Sequence, residues 1–423
     1  MATIRLFTKK YENGLKIVVK EMPGLYSLTV GFCVGVGSCL EDKSNNGFSH
    51  FIEHMMFKGT PKRTAFEISD SVDRIGGQIN AFTSKDMTCY YAKVASVYAE
   101  QAVEILSDML LNSLFDPQEL DRERKVILEE ITMGEDQPDE VCHDLIAEAL
   151  YGDKGLGQTI IGTKELISKA GREDLLKFID RFYTSENITV AFAGNIKFEE
   201  ACAYVEKYFL PYLDKHHKVA ELSAQECRSD YIFKVKDIEQ AHICIGFEGL
   251  PLDDPDSDAY AVFSSIFGSG MSSRLFQKIR EEYGMAYTVY AYPSYYVNNG
   301  YLEIYAGTNP KNIETVVSLI KEEIDNILSG GVTDAEFERG KEQRKGGTLL
   351  AQENSSVVMT NIGKYYLLLD KKYTVEEKIA AIDRVTKADV ERVMRKVLDR
   401  SRASLAIVSR SKPAEDLLKK FKA

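Results

Sequence analysis

The chain has 423 residues, of which 44% are hydrophobic and 28% are charged, a composition typical of soluble globular proteins with two or more domains. This composition excludes disordered and fibrous chains. The 53 basic and 65 acidic side chains give a net charge of −12, and no block of consecutive Lys and Arg occurs, which argues against binding to nucleic acid.

The N-terminal region predicts β-structure and neither an export signal nor a membrane anchor. The chain becomes charged at Lys9 and Lys10 without an apolar signal core. The longest uncharged run, residues 22–40, alternates apolar with small or polar residues, which is typical of a strand. Seven cysteines without a C-x-x-C pair indicate reduced thiols. We therefore expect a cytoplasmic protein with no transmembrane segment.

Residues 47–57 predict a buried helix that carries a metal motif. Apolar side chains surround much of its circumference, and His50, Glu53 and His54 share one face, because positions i, i+3 and i+4 of a helix are neighbours. The pattern H-x-x-E-H is the inverse of the H-E-x-x-H zinc signature. Two core histidines with ordinary partners are the alternative. A catalytic zinc site also needs a third protein ligand, a carboxylate or histidine from another element.

A helix beginning after Asp116 is the best source of that third ligand. Asp116 can cap its first turn, and its apolar stripe runs through Leu120, Ile127 and Ile131. Glu123 and Glu130 flank this stripe, whereas Glu129 falls opposite and should be solvated. We predict Glu130 as the zinc ligand and Glu123 as its support, able to orient the site or share a proton. Ordinary boundary glutamates are the alternative.

The second half of the chain repeats the first. Gly31 and Gly246 lie in corresponding strands 215 residues apart, and Glu119 and Glu336 lie in corresponding helices 217 residues apart. We predict an α+β fold of two duplicated domains, each a mostly antiparallel sheet covered by helices, with domains at 1–214 and 230–423 and a linker at 215–229. One large irregular domain is the alternative. The same offsets carry the zinc motif and Glu130 to positions that cannot bind zinc in this way: Ser265, Gly268, Ser269 and Gly347. We therefore expect one zinc ion per chain.

The H-x-x-E-H motif with Glu130 76 positions after His54, and Glu123 seven positions before Glu130, resembles the pitrilysin, insulysin and mitochondrial processing peptidase family of inverted zinc metallopeptidases. The likeness covers essentially the whole chain. It implies that His50, His54 and Glu130 bind Zn²⁺ and that Glu53 is the general base for the water that the zinc activates.

The resemblance also implies substrate contacts. Residues 76–83 are similar to the family's strand beside the metal. Because residues 78–83 alternate and include small side chains, an extended peptide could pair with this strand through Asn80, Ala81, Phe82 and Thr83. A plain hairpin strand is the alternative. Residues 272–276 resemble the family's second-domain signature. Arg280 and Tyr287 match the family's Arg/Tyr pair, which extends from the second domain to the substrate, so the resemblance implies that both residues bind substrate and take part in catalysis. Without the family, these two residues would be a surface charge and a strand aromatic.

Members of the family enclose substrates in a chamber of four such domains, and this chain holds two. The resemblance therefore implies a homodimer in which each chain is half of a clamshell chamber that admits unfolded peptides. The expected function is that of a zinc-dependent endopeptidase. The alternatives are a non-catalytic structural or assembly subunit of the same fold and a zinc hydrolase of some other amide bond.

Overall fold

The computed structural model describes residues 5–213, 219 and 223–423. Of the predicted linker at 215–229, residues 215–218 and 220–222 lie outside this part of the chain. The strands of the described residues are β1 (Arg5–Lys10), β2 (Lys16–Glu21), β3 (Ser27–Val34), β4 (Gln78–Thr83), β5 (Thr88–Ala95), β6 (Ile188–Gly194), β7 (Tyr231–Val235), β8 (Ala241–Glu248), β9 (Ala286–Tyr295), β10 (Gly300–Thr308) and β11 (Ser404–Ser409).

Helices occupy most of the remaining described chain, together with a π-helical segment at Phe276–Glu282. They are α1 (Phe48–Met55), α2 (Ala65–Asp73), α3 (Ala99–Asn112), α4 (Pro117–Glu135), α5 (Pro138–Tyr151), α6 (Lys164–Lys169), α7 (Arg172–Phe182), α8 (Phe198–Tyr208), α9 (Ser257–Phe267), α10 (Ile313–Gly330), α11 (Asp334–Leu350), α12 (Ser355–Leu369), α13 (Val375–Arg384), α14 (Lys387–Val397) and α15 (Leu417–Lys422).

The strands form two mixed sheets with the same internal order. The first sheet runs β1-β2-β6-β3-β5-β4, and the second runs β7-β11-β8-β10-β9. In each sheet one pair is parallel, β2 with β6 and β7 with β11, and the other pairs are antiparallel. The second sheet therefore repeats five strands of the first. The predicted α+β fold of two duplicated, mostly antiparallel sheets covered by helices is confirmed at this level.

Two compact units contain one sheet each, but neither unit is a continuous half of the chain. Unit 1 consists of the described residues within Met1–Ile131, Thr159–Glu221 and Leu349–Val375, and unit 2 of those within Thr132–Gln158, Leu222–Thr348 and Glu376–Ala423. The predicted boundaries at 1–214 and 230–423 differ from these units in two segments. Helix α5, from the first half, packs on β8 and β11, whereas α12, from the second half, packs on β3 and β6.

Helices α5 and α12 are exchanged, in that each packs on the sheet of the other half, and they are equivalent in the repeat. Helix α5 begins at Pro138 and α12 begins at Ser355, the same 217-residue offset that relates Glu119 to Glu336. Each crosses a strand glycine at close range. A Cβ atom on Gly246 would come within 2.7 Å of Leu150 on α5, and one on Gly31 would overlap Met359 on α12. The paired glycines thus let a helix approach each sheet closely.

Apolar cores fill both units. In unit 1 one core lies between the sheet and helices such as α1, α3 and α7, and a second core lies under α12. In unit 2 the main core lies between the sheet and α9, α10 and α14. The uncharged run at 22–40 contains β3, as its alternation predicts. Within the described ranges, no helix combines the length and the apolar character needed to cross a membrane.

Candidate metal centre

A buried carboxylate fixes the start of α1, the helix that carries the H-x-x-E-H motif. The Glu41 side chain accepts hydrogen bonds of 2.7 Å from the backbone N–H groups of Gly47 and Ser49, and one of 3.0 Å from Asn46 Nδ2. These donors would otherwise be unpaired at the helix N-terminus. Burial raises the pKa of Glu41 more than these hydrogen bonds lower it. Sequence reasoning did not identify Glu41.

Gly47 must be glycine at this helix start. Its φ angle of 95° lies in the left-handed region, and a Cβ atom there would come within 2.7 Å of the Ile161 carbonyl oxygen. The loop at Ile161 and Gly162 therefore packs directly against the first turn of α1. This contact and the Glu41 hydrogen bonds fix the position of the first turn of α1, and therefore the position of the H-x-x-E-H motif that α1 carries.

His50, His54 and Glu130 converge in unit 1. One candidate ligand atom from each lies within 4.8 Å of the other two. Glu130 Oε2, on α4, is 3.4 Å from His54 Nε2 and 3.9 Å from His50 Nε2. Two imidazole nitrogens and one carboxylate oxygen are a donor set of catalytic zinc sites, with a fourth position left for water. The residues present therefore fit a zinc ion.

The environment of His50 favours the neutral imidazole that a metal needs. Its Nδ1 atom is buried and has no hydrogen-bond partner in the part of the chain that the structure describes. Burial, followed by the charge of His54, lowers the pKa of His50 to about 4. A neutral imidazole binds a cation without first losing a proton.

Helix α4 presents its glutamates as its apolar stripe predicts. Asp116 accepts a 2.8 Å hydrogen bond from the Gln118 N–H and so caps the helix. The stripe residues Leu120, Ile127 and Ile131 are buried. Glu129 is exposed and Glu130 is half-buried, as expected. Glu123 is buried and contacts His54, near the end of α1.

Glu123 connects His54 to a lysine. Its Oε2 atom lies 3.0 Å from His54 Nδ1, and its Oε1 atom lies 2.7 Å from Lys58 Nζ. An ionised carboxylate only accepts hydrogen bonds, so His54 donates from Nδ1 and keeps the lone pair of Nε2 for a metal. Burial raises the pKa of Glu123, but hydrogen bonds from His54 and Lys58 outweigh it and lower the pKa. Lys58, four positions after His54, was missed, although that spacing was the available signal.

Glu53 faces the edge of the first sheet. Its Oε2 atom accepts a short hydrogen bond from the Thr83 hydroxyl, at the end of β4. Burial raises the pKa of Glu53, and the hydrogen bond from Thr83 only partly opposes this effect. The sequence predicted Thr83 as a substrate contact and gave no sign of this link to Glu53.

The strand predicted to contact substrate is β4, and it lies at the edge of its sheet. Among the strands of the described chain it pairs with β5 alone, so one row of its backbone N–H and C=O groups is not used within the sheet. Asn80 is exposed, and Ala81, Phe82 and Thr83 are half-buried.

Arg280 and Tyr287 contact each other in unit 2. Arg280 Nη1 donates a 3.0 Å hydrogen bond to the Tyr287 carbonyl oxygen, and the guanidinium lies 4.8 Å from the centre of the Tyr287 ring. A second ring, that of Phe276, lies 4.7 Å from the same guanidinium. The Tyr287 side chain is 75% exposed. The two residues predicted as a pair are thus brought together, with the tyrosine open to solvent.

Comparison with known proteins assigns the family. The model "Insulinase (Peptidase family M16)" matches residues 16–164, and the model "Peptidase M16 inactive domain" matches residues 169–344. An uncharacterized zinc protease of Bacillus subtilis, YmxG, is 40% identical over 405 residues, which is 95% of this chain and 98% of the relative. An uncharacterized zinc protease of Streptomyces coelicolor is 36% identical, covering 94% of this chain and 88% of the relative.

Solved structures agree on the fold. A protease from Helicobacter pylori superposes with a TM-score of 0.90 at 21% identity, covering 97% of this chain and 100% of that one. A peptidase M16 inactive domain from Pseudomonas fluorescens also gives 0.90, at 18% identity, with the same coverage. The fold is that of solved peptidase M16 proteins, and the relatives in sequence are named zinc proteases. This chain belongs to peptidase family M16, and the predicted resemblance is confirmed.

Proposed function

We propose that this chain is a zinc-dependent endopeptidase in which His50, His54 and Glu130 hold one zinc ion and Glu53 is the general base. The convergence of two imidazole nitrogens and one carboxylate oxygen carries the proposal, in a chain whose relatives are named zinc proteases. The alternative of two histidines with ordinary core partners does not account for His50, because its Nε2 atom lies 3.9 Å from Glu130 Oε2, too far for a hydrogen bond but close enough for a shared metal ion.

A zinc ion bound there would polarise the scissile carbonyl and lower the pKa of an attacking water. Glu53 accepts the proton of that water and passes it to the nitrogen of the leaving amine. The Thr83 hydroxyl holds one oxygen of Glu53, which leaves the other oxygen to carry the proton. Because burial raises the pKa of Glu53, its proton affinity is better matched to this transfer than that of an exposed glutamate.

Two further sets of residues support the reaction. Glu123 fixes His54 with Nδ1 as donor, so that the Nε2 lone pair stays available. Arg280 and Tyr287 would donate hydrogen bonds to the negative charge that develops on the carbonyl oxygen of the substrate. Their mutual contact would hold the tyrosine in a defined position.

We further propose that the substrates are unfolded peptides. An extended peptide can add to the free edge of β4, where backbone hydrogen bonds supply affinity with little side-chain selectivity. A homodimer would assemble four sheet-bearing units into a closed chamber that excludes folded proteins. Seven free cysteines suit a reducing compartment, which supports the cytoplasm as the location.

Cleavage of an unstructured peptide of about 20–30 residues tests the proposal, because that length suits a chamber better than a surface cleft. The zinc-loaded chain is compared with Glu53→Gln and with Glu129→Gln, the same change at an exposed glutamate of α4. We expect the parent chain and Glu129→Gln to cut, and Glu53→Gln to retain zinc but lose cleavage by about 10²-fold or more.

Two results would contradict the proposal. If no variant cuts although each holds zinc at His50, His54 and Glu130, a non-catalytic assembly subunit becomes the better interpretation. If Glu53→Gln cuts as well as the parent, Glu53 is not the base. Turnover of small amides without cleavage of peptides would instead indicate a zinc hydrolase of another amide bond.

A further inference from the structure

Unit 2 contains a second group of metal-ligating side chains, separate from the H-x-x-E-H site. His143 on α5, Cys244 on β8 and Glu303 on β10 each offer one ligand atom, and these atoms lie within 4.8 Å of one another. His143 Nδ1 is 2.6 Å from Glu303 Oε1 and 3.8 Å from Cys244 Sγ. His143 belongs to no sequence motif, so the structure alone brings it to these two residues.

The sheet register explains why these residues meet. In the β8–β10 pair, Cys244 lies opposite Tyr305 and Gly246 lies opposite Glu303. Positions two apart on a strand share a face, so Cys244, Gly246 and Glu303 all face the same side. That is the side on which α5 packs, since a Cβ atom on Gly246 would meet Leu150 of α5. The close approach over Gly246 brings His143 down to the thiol and the carboxylate.

Burial makes this group unusual. Cys244 is fully buried, Glu303 is 7% exposed, and the His143 side chain is 27% exposed. Among the described residues, the ion-pair partner of the Glu303 carboxylate is the His143 imidazole. A divalent cation could replace the proton that lies between His143 and Glu303, and the buried Cys244 thiol adjoins the same pair.

We propose that His143, Cys244 and Glu303 form a second metal site, of the zinc class, that fastens α5 to the second sheet. Thiolate, imidazole and carboxylate together suit Zn²⁺, and a thiolate disfavours Mg²⁺ and Ca²⁺. Donor atoms around a tetrahedral zinc are about 3.2–3.8 Å apart, so adjustments of about 1 Å would complete the geometry.

Metal binding at this site requires proton transfers at His143 and Cys244. With a neutral imidazole in the free site, His143 Nδ1–H donates to Glu303, and Nε2 accepts from the Tyr290 hydroxyl, 3.1 Å away. On metal binding, the Nδ1 proton moves to Nε2, which then donates to Tyr290, and the Cys244 thiol releases its proton to solvent. The bound cation, thiolate and carboxylate sum to zero charge.

Cobalt substitution separates this site from the one at His50, because only a thiolate ligand gives Co²⁺ an intense sulfur-to-metal charge-transfer band in the near ultraviolet. We would load the reduced, full-length chain with Co²⁺ and compare it with Cys244→Ser, Glu303→Gln and Cys227→Ser. Cys227 is a half-buried cysteine of the same unit and serves as the matched control. His54→Ala removes a ligand of the other site.

We expect two metal equivalents and the charge-transfer band in the parent chain and in Cys227→Ser. Cys244→Ser should bind one equivalent and lose the band, and Glu303→Gln should bind the second equivalent at least about 10-fold more weakly. His54→Ala should keep the band. The second equivalent should also raise the melting temperature of the parent chain and not that of Cys244→Ser.

Other outcomes would overturn the proposal. A parent chain with one equivalent and no band would mean that His143 and Glu303 form an ion pair only. A band that persists in Cys244→Ser, or disappears in Cys227→Ser, would place the thiolate elsewhere. If Cys244→Ser fails to fold, Glu303→Gln decides, since its amide keeps the size of the side chain. Because none of these measurements uses peptide cleavage, they can succeed or fail independently of the proposed peptidase activity.

Discussion

At the scale of single residues, Lys58 is the least expected part of the candidate centre. Its ammonium lies 2.7 Å from Glu123, whose other oxygen holds His54. The Lys58 side chain is 27% exposed and that of Glu123 is 8% exposed, so little water screens this contact. We predict that Lys58→Met weakens zinc binding about 10–100-fold, because Glu123 loses the charge that keeps it ionised and His54 is oriented less firmly.

Competition with a chromogenic chelator would measure that loss. Lys62→Met is the matched control, since Lys62 is 64% exposed and lies 3.8 Å from Glu104, away from the motif. It should bind zinc as the parent chain does. Equal affinities of Lys58→Met and the parent would show that Glu123 orients His54 without the lysine.

Sequence patterns reveal some of these residues and not others. Glu123 and Glu130 could be identified because they flank an apolar stripe on a long helix. The helical repeat that places them there depends on the local sequence and not on tertiary packing. Glu41 could not be identified, because it reaches the start of α1 from six and eight residues away, a spacing that matches no capping motif. The contact of Thr83 with Glu53 could not, because it joins residues 30 positions apart through tertiary packing. The same holds for His143, Cys244 and Glu303, whose spacing in the chain matches no metal motif.

At the scale of elements, a side chain in the second-domain signature fastens the start of α11. Arg274 Nε lies 2.6 Å from Glu336 Oε1, and Arg274 Nη2 donates to Oε2 at 2.9 Å. Glu336 also accepts from the N–H and hydroxyl of Thr333, each at 2.8 Å, which completes a helix cap. Burial alone would raise the pKa of Glu336, but the Arg274 and Thr333 contacts lower it from 4.5 to about 2.

The lowered pKa of Glu336 determines how its contribution to the free energy of unfolding changes with pH. The folded pKa of Glu336 is below the unfolded value of 4.5, so its stabilisation is present above that value and is lost as pH falls toward 2. We predict that Glu336→Gln lowers the free energy of unfolding at pH 7 by about 2 kcal/mol, and that the difference from the parent shrinks below about pH 5. Urea unfolding across this range measures both quantities.

Glu338→Gln, a change at an exposed neighbour on the same helix, should have little effect at any pH. If the curves of Glu336→Gln and the parent stay parallel as the pH is lowered, the Arg274 contact does not stabilise the folded state through the ionised carboxylate.

The repeat predicts which elements exist but not which sheet each one covers. Apolar patterning shows that α5 and α12 are buried on one side, and both helices occupy the same place in the two halves of the repeat. Either sheet could satisfy that pattern, because Gly31 and Gly246 offer each helix an equivalent close approach. The packing of each helix on the sheet of the other half is therefore decided by tertiary contacts, which local periodicity does not encode.

At the scale of the whole molecule, the exchange makes each half of the sequence incomplete. The second apolar core of unit 1 places Cys33, Cys89 and Ala191 of the sheet against Met359 and Ile362 of α12. A chain of residues 1–214 lacks α12 and so exposes this face, while its own α5 has no sheet to cover. We predict that residues 1–214 alone do not reach a cooperative folded state, because the exposed apolar face favours aggregation or a loosely packed state.

Coexpression of residues 1–214 with residues 215–423 supplies both missing helices and should restore a soluble complex that unfolds cooperatively. The matched control is the same coexpression with Met359→Asp in the second fragment, because a charge in that buried core should prevent assembly. Size-exclusion chromatography and urea unfolding would compare the three preparations. A monomeric, cooperatively unfolding 1–214 fragment would contradict the prediction, since the first sheet would then be stable without the helix that the second half lends it.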